Sequence, residues 1–129
     1  YSRKLCERNA QAEGVDNAAF QKGDARHLDF PDETFDAVTS NYVYHNVMGA
    51  DKRVLLLETL RVLKKGGVFA LNDDMKPRMY WDMEEFAREL RDMGYEDVRL
   101  IDTAAEAFGS RRWAAMMMLD NSRMLVGRK

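Results

Sequence analysis

Three short polar stretches in this sequence have side chains suited to binding a small ligand, and each follows a run with strand character. They are Gly23-Asp24-Ala25, Ser40-Asn41 and Asn72-Asp73-Asp74. Hydroxyl, carboxamide and carboxylate groups supply both donors and acceptors of hydrogen bonds. If the preceding strands are parallel neighbours, their carboxyl ends share one rim of the sheet, and α/β sheets bind ligands outside that rim.

His45 is the candidate catalytic residue, five positions after Ser40. An imidazole can act as a general base towards a hydroxyl or thiol. The sequence shows no obvious acidic partner for this histidine, so a packed or capping role is the favoured interpretation. The acids of Asn72-Asp73-Asp74 are expected to be solvated, and no spacing of ligand residues predicts a metal site.

The elements that must position these residues alternate between helix and strand. Helix-capping residues, glycine stops and apolar periodicity predict helices over 2–13, 54–63 and 83–93, with Asp51 and Asp82 as N-caps and 64–67 as a helix end. Short apolar runs predict strands over 18–22, 35–40, 68–71, 98–101 and 124–126. This alternation is typical of an α/β domain with a mostly parallel sheet.

Composition narrows the function classes. The chain has 129 residues, 46% apolar and 33% charged, with a net charge of −2, which fits one globular domain over residues 1–129 and shows no one-sided basic surface for nucleic acid. No apolar run approaches the roughly 20 residues that span a bilayer, so no membrane partner is expected. The single cysteine, Cys6, favours a reducing compartment and therefore the cytoplasm.

Two longer motifs carry a family resemblance. GDARHLDFPDETFDAVTSNYVYHNV followed by LLLETLRVLKKGGVFALNDD resembles the middle and later motifs of class I S-adenosylmethionine-dependent methyltransferases of the small-molecule type. The resemblance implies an α/β Rossmann-like methyltransferase fold, a mostly parallel sheet with an antiparallel C-terminal edge, S-adenosylmethionine as cofactor and a small-molecule acceptor.

The resemblance also implies residue roles. The GDA element, Gly23, Asp24 and Ala25, would bind the adenine, with Asp24 accepting from its amine and Ala25 presenting a backbone amide. Ser40 and Asn41 suit the carboxylate or amino group of the cofactor, or a substrate oxygen. Alternatives stay open: Asp24 can simply cap a turn, and Ser40 and Asn41 can simply end a strand.

The family's opening strands and their GxGxG turn have no counterpart in the printed sequence, so the expected fold lacks its N-terminal strands. The chain is then a partial domain, either part of an active enzyme or a non-catalytic interaction fragment. Strand 35–40 would have an open edge, since the strands that flank it in the family are missing. We therefore expect a homodimer through this edge that buries Val38 and Phe20 between subunits.

Overall fold

Helices and strands alternate along the chain in the computed structural model, which describes residues 2–129 except for the side chains at positions 107 and 108. The strands are β1 (Phe35–Asn41), β2 (Leu63–Asp74), β3 (Glu96–Asp102) and β4 (Ser122–Arg128). The helices are α1 (Arg3–Ala12), α2 (Lys52–Arg61), α3 (Pro77–Tyr80), α4 (Met83–Asp92), α5 (Ala104–Phe108) and α6 (Arg111–Met116), with a 3-10 turn at Tyr44–Asn46.

The sheet has the strand order β1-β2-β4-β3. β1 pairs with β2 in parallel, whereas β4 is antiparallel to both β2 and β3. Three strands therefore run in one direction, and the C-terminal strand runs against them from its place between β2 and β3. This confirms the α/β class and an antiparallel strand in the C-terminal part of the chain, although that strand lies inside the sheet, β3 forms the edge, and only the β1–β2 pairing is parallel.

The predicted strand over 18–22 is wrong. That segment has no regular secondary structure and joins no ladder, and the residues that follow form only an isolated bridge between Asp24 and His27. A segment with strand-forming residues becomes a β-strand only when a neighbouring strand pairs with its backbone N–H and C=O groups. Within residues 2–129, no strand pairs with the outer edge of β1. The open edge expected for β1 is therefore present.

The predicted helix end at 64–67 is also wrong. Asp51 caps α2 as expected, accepting from the Arg53 N–H at 2.8 Å, but the helix ends at Arg61. The Val62 carbonyl accepts from the backbone N–H groups of Thr34 and Phe35, and this draws the chain into β2 two residues before the predicted end of the helix. The stretch 64–67 becomes an irregular start of β2 instead.

The hydrophobic core lies between the sheet, α2 and α4. The two helices are neighbours, because Arg53 of α2 pairs with Glu89 of α4 and its guanidinium lies 5.3 Å from the centroid of the Phe86 ring. The largest fully buried apolar side chains include Leu55, Leu56, Leu60, Leu63, Leu71, Tyr80, Phe86, Leu90 and Leu125. On β2 burial alternates as far as Leu71, with Phe69 and Leu71 buried while Val68 is 44% exposed, and every residue from Leu71 to Asp74 is buried. Among the described residues, none of the helices is both long and apolar enough to cross a bilayer.

Candidate functional site

Two of the three polar stretches meet at the carboxyl ends of β1 and β2. Asn41 and Asn72 are register partners, and the Asn72 side-chain amide donates to the Asn41 carboxamide oxygen at 2.8 Å. The shared rim expected from parallel neighbouring strands is therefore present.

Asp73 is the best-connected polar group at this rim, and it is fully buried. Its Oδ1 accepts from the Asp74 N–H at 2.7 Å and faces His45 Nδ1 at 2.5 Å. Its Oδ2 accepts from the His45 N–H at 3.1 Å and from the Tyr80 hydroxyl at 2.9 Å. The expectation that the acids of this stretch are solvated is wrong for both Asp73 and Asp74, which are buried, and His45 does have an acidic partner.

This pairing determines how His45 presents its ring. With Nδ1 donating to Asp73, the neutral imidazole keeps its lone pair on Nε2. The His45 side chain is 30% exposed, so the ring has solvent access, whereas the carboxylate behind it has none. A histidine oriented by a buried carboxylate is the arrangement of a general base.

Tyr80 stabilises the His45–Asp73 pair through a hydrogen bond to the carboxylate. Burial, and then the nearby Asp73 carboxylate, raise the pKa of the Tyr80 phenol, so it remains a hydrogen-bond donor to that carboxylate. Neither Tyr80 nor the role of Asp73 was predicted from the sequence. One signal was available: Asp73 continues the core-facing alternation of Phe69 and Leu71, a pattern that indicates a buried acid.

A groove of about 490 Å³ runs along the open edge of β1 and brings together three of the predicted cofactor residues, Ala25, Ser40 and Asn41. Leu28, Phe30 and Val38 supply apolar wall. The Ser40 hydroxyl oxygen is buried and makes no well-formed hydrogen bond among the described residues, although the Tyr44 hydroxyl lies close enough to interact with it. The groove therefore combines an apolar surface with a buried polar atom at one end.

A chain of hydrogen bonds determines which atoms of the Asn41 carboxamide are available to a ligand. The Thr103 hydroxyl donates to Asn72 Oδ1 at 3.0 Å and contacts the Ser122 hydroxyl at 2.9 Å, which in turn contacts the Tyr42 hydroxyl at 2.5 Å. Each hydroxyl has one hydrogen, so Ser122 donates to Thr103 and Tyr42 donates to Ser122. Since the Asn41 oxygen already accepts from Asn72, its side-chain N–H groups are the ones available to a ligand.

Gly23 and Asp24 lie in the exposed turn that precedes Ala25. The Asp24 carboxylate accepts from the Arg26 N–H at 2.9 Å and from the Arg26 guanidinium at 2.7 Å. These bonds from Arg26 lower the pKa of Asp24 to about 2. This geometry is that of the turn-capping alternative, and a contact of Asp24 with adenine remains a prediction.

Glu58 and Arg61 on α2 hold the loop that carries Ala25 against the sheet. Glu58 accepts from the Leu28 N–H at 2.7 Å and from the Arg61 guanidinium at 2.8 Å. Arg61 also donates to the carbonyls of Leu28 and Phe30 and to the Asp32 carboxylate. Two residues of the ETLRVLKKGG motif therefore position one wall of the groove.

Replacing Glu58 with Gln is expected to remove a pH-dependent part of the stability. The bond from Arg61, followed by that from the Leu28 N–H, lowers the pKa of Glu58 from 4.5 to about 2. A lowered pKa in the folded state stabilises the fold above pH 4.5, and this contribution is lost as the pH falls towards 2. Urea unfolding at pH 6 and pH 3 should show a wild-type minus Glu58→Gln difference that shrinks by on the order of 1–2 kcal/mol. The same difference at both pH values would contradict the prediction.

The strand order and the ligand-binding rim together define a class of protein: an α/β protein with the Rossmann-like methyltransferase fold. The family model described as "Methyltransferase domain" matches residues 1–71, more than half of the chain. The chain therefore belongs to this family, the class I S-adenosylmethionine-dependent methyltransferases. Among the described residues, no cluster of three or more His, Cys, Asp or Glu side chains has the geometry to hold a metal ion.

Curated relatives are similar over part of the chain. The uncharacterized methyltransferase YcgJ of Bacillus subtilis (strain 168) is 44% identical over 68 residues, which are 53% of this chain and 26% of that protein. The fatty-acid O-methyltransferase of Mycolicibacterium smegmatis is 40% identical over 88 residues, 68% of this chain and 29% of that protein. The chain thus spans between about a quarter and a third of the length of these relatives.

Solved structures share the fold. The [4+2]-cyclase SpnF superposes with a TM-score of 0.66 at 18% identity, covering 98% of this chain and 62% of that chain. The structure of Bacillus YcgJ superposes with a TM-score of 0.56 at 20% identity, covering 97% of this chain and 74% of that chain.

Proposed function

We propose that this chain is part of a methyltransferase domain that transfers a methyl group from S-adenosylmethionine to a hydroxyl or thiol of a small molecule. The observation that carries the proposal is His45 held by the buried Asp73, with its Nε2 free at the ligand-binding rim. The names of the curated relatives support a small-molecule acceptor, since they include a fatty-acid and a demethylmenaquinone methyltransferase.

The groove along the open edge of β1, named here the β1 groove, is suited to bind part of the cofactor. Its apolar walls fit an aromatic ring, while the Ser40 hydroxyl and the Asn41 N–H groups fit a polar end. When bound, S-adenosylmethionine supplies a methyl group already activated by a positively charged sulfur. The task left to the protein is alignment of the reactants and removal of the acceptor's proton.

His45 is the proposed residue for proton removal. A neutral hydroxyl is a weak nucleophile, so Nε2 would take its proton while the oxygen–methyl bond forms and the methyl–sulfur bond of the cofactor breaks, which would release a neutral thioether. Asp73 keeps the ring in the required tautomer and stabilises the imidazolium that results. Tyr80 holds Asp73 by its hydroxyl, so the orientation of His45 depends on two buried groups.

Calorimetric titration with S-adenosylmethionine tests the proposal. We expect saturable binding weaker than about 100 μM, because Ala25, Ser40 and Asn41 form one groove whereas the printed sequence has no GxGxG turn. Ala25→Trp fills the groove and should abolish binding. Ala18→Trp, in a different surface groove, is the matched control and should bind as the wild type does.

Absence of binding would support the alternative, a non-catalytic interaction fragment. A sub-micromolar dissociation constant for S-adenosylmethionine would contradict the predicted weak binding, but it would support the proposed methyltransferase function. We also propose a cytoplasmic location, supported by the single cysteine.

The open edge of β1 is the basis of a proposed homodimer. Unpaired backbone groups on an edge strand favour pairing with another strand, and a two-fold dimer lets one edge satisfy its copy. Val38 is partly buried against the core and lines the β1 groove, so a second copy at this edge would cover it and would compete with the cofactor for this groove. Phe20, which the proposed dimer would also bury, lines a separate groove with Ala18.

Sedimentation equilibrium at micromolar concentration should show a dimer. Thr39→Lys places a charge on the exposed surface of β1 and should yield a monomer, since edge lysines oppose strand pairing. Glu96→Lys on β3, the other edge of the sheet, should leave the dimer intact. A wild-type monomer with amides of β1 protected from exchange would contradict the dimer.

A further inference from the structure

A second groove lies beside the His45 turn, between the loop that follows β1 and the segment that follows β2. It has a volume of about 390 Å³ and is named here the Trp81 groove; its lining includes Met48, Asp51, Lys52, Arg78, Met79 and Trp81. Both segments leave the carboxyl ends of parallel strands, where α/β sheets bind ligands. Both segments continue from residues of the Asp73 cluster, since Met48 lies three residues after His45 and Trp81 directly follows Tyr80.

Trp81 is held in an unfavourable conformation to form this groove. Its φ of 60° and ψ of −144° lie in a region that bulky residues rarely adopt, at a cost of about 1–3 kcal/mol. This backbone strain does not bury the Trp81 side chain, which is 70% exposed. Met48 in the same groove is 82% exposed. An exposed tryptophan with two methionines offers an adaptable apolar surface to a ligand.

Lys52 gives the groove a charged end. The residue is only 4% exposed, and its ammonium donates to the Val47 carbonyl at 2.5 Å, the one acceptor described for its three N–H groups. Within residues 2–129, no carboxylate lies within 4.0 Å of this ammonium or of the Arg78 guanidinium. The Asp51 carboxylate in the same groove accepts from the Arg53 N–H instead. Buried charges in proteins are normally paired, so this ammonium favours an anion from outside the chain.

We infer that the Trp81 groove binds the methyl acceptor, and that the acceptor is an apolar molecule with a carboxylate that pairs with Lys52. The inference rests on the proposed methyl transfer, since it names the acceptor class of that reaction. The apolar body lies against Trp81, Met48 and Met79, and the carboxylate lies at the Lys52 end.

Tryptophan fluorescence measures this binding without the cofactor. In a Trp113→Phe background, Trp81 is the single tryptophan, and dodecanoate below its micellar range is the probe. We expect a saturable change in Trp81 emission with dodecanoate and an affinity for neutral dodecanol about ten-fold weaker, because dodecanol lacks the charge. Equal affinities for the two probes, or no saturation with dodecanoate, would overturn the inference.

Substitutions of lysine residues test whether Lys52 binds the carboxylate of dodecanoate. Lys52→Met should weaken dodecanoate about ten-fold and leave dodecanol unchanged, whereas Lys52→Arg should retain dodecanoate. Lys65→Met, at an exposed lysine on β2, is the matched control and should bind as the parent does. Should Lys52→Met fail to fold by circular dichroism, the dodecanoate–dodecanol comparison and Lys52→Arg still decide the outcome. Failure of S-adenosylmethionine to bind would instead count against the proposed function alone.

Discussion

Asp73→Ala is expected to lower the free energy of unfolding by about 3–5 kcal/mol, the range for removing one partner of a buried charged cluster. Asp73 is fully buried and is bonded by His45, Tyr80 and the Asp74 N–H. Its removal leaves these donors without an acceptor in a region closed to water, and it also leaves a cavity. Since domains are stable by only about 5–15 kcal/mol, urea unfolding should show a large shift of the midpoint.

Two further variants make this test specific. Asp73→Asn conserves volume but places an N–H2 group against donors, so it should cost more than an ordinary surface substitution and less than alanine. Asp29→Ala removes an exposed carboxylate with no ion pair among residues 2–129, and should change stability by no more than about 0.5 kcal/mol. Equal effects of Asp73→Ala and Asp29→Ala would show that the buried cluster is not a stabilising unit.

His45→Gln is expected to lower the turnover number for methyl transfer to a hydroxyl by about 10²–10⁴-fold, the range for losing a general base. The affinity for S-adenosylmethionine should stay the same, because His45 does not line the β1 groove. Glutamine retains a polar side chain of similar size, so the fold should persist. Transfer of a radiolabelled methyl group to phenols and hydroxylated fatty acids measures the effect.

The tautomer of His45 can be tested independently of any acceptor. Long-range ¹H–¹⁵N correlation at high pH should place the proton on Nδ1, as the contact with Asp73 Oδ1 requires, and Asp73→Asn should disturb it. His27 is the matched control, because its side chain is 81% exposed. A proton on Nε2 in the wild type, or unchanged turnover in His45→Gln, would rule out the assignment of His45 as the base.

Local patterns in the sequence predicted most of the secondary structure. Asp51 and Asp82 do cap helices, and Phe86 and Leu90 of α4 do face the core. Such signals depend on residues a few positions apart, so they survive without knowledge of the fold. The motifs also predicted the α/β Rossmann-like class and the family, which the strand order and the family match confirm.

Where the sequence analysis failed, the outcome depended on residues far apart in the chain. Segment 18–22 has strand composition but no strand beside it, and 64–67 has the composition of a helix end but is drawn into the sheet through Val62. In both cases the hydrogen-bond partner decides the structure, and local propensity does not.

The sequence by itself determined the family, the capped helices, the strands that carry the rim residues, and the open edge of β1. Only the tertiary structure decided the chemistry at the rim, because burial and pairing are properties of the packed chain. Asp73 is buried beneath His45, 28 positions away, and Tyr80 reaches the same carboxylate from a separate helix. The apolar alternation of β2 turns Asp73 inward, and folding then brings the donors that make a buried carboxylate tolerable.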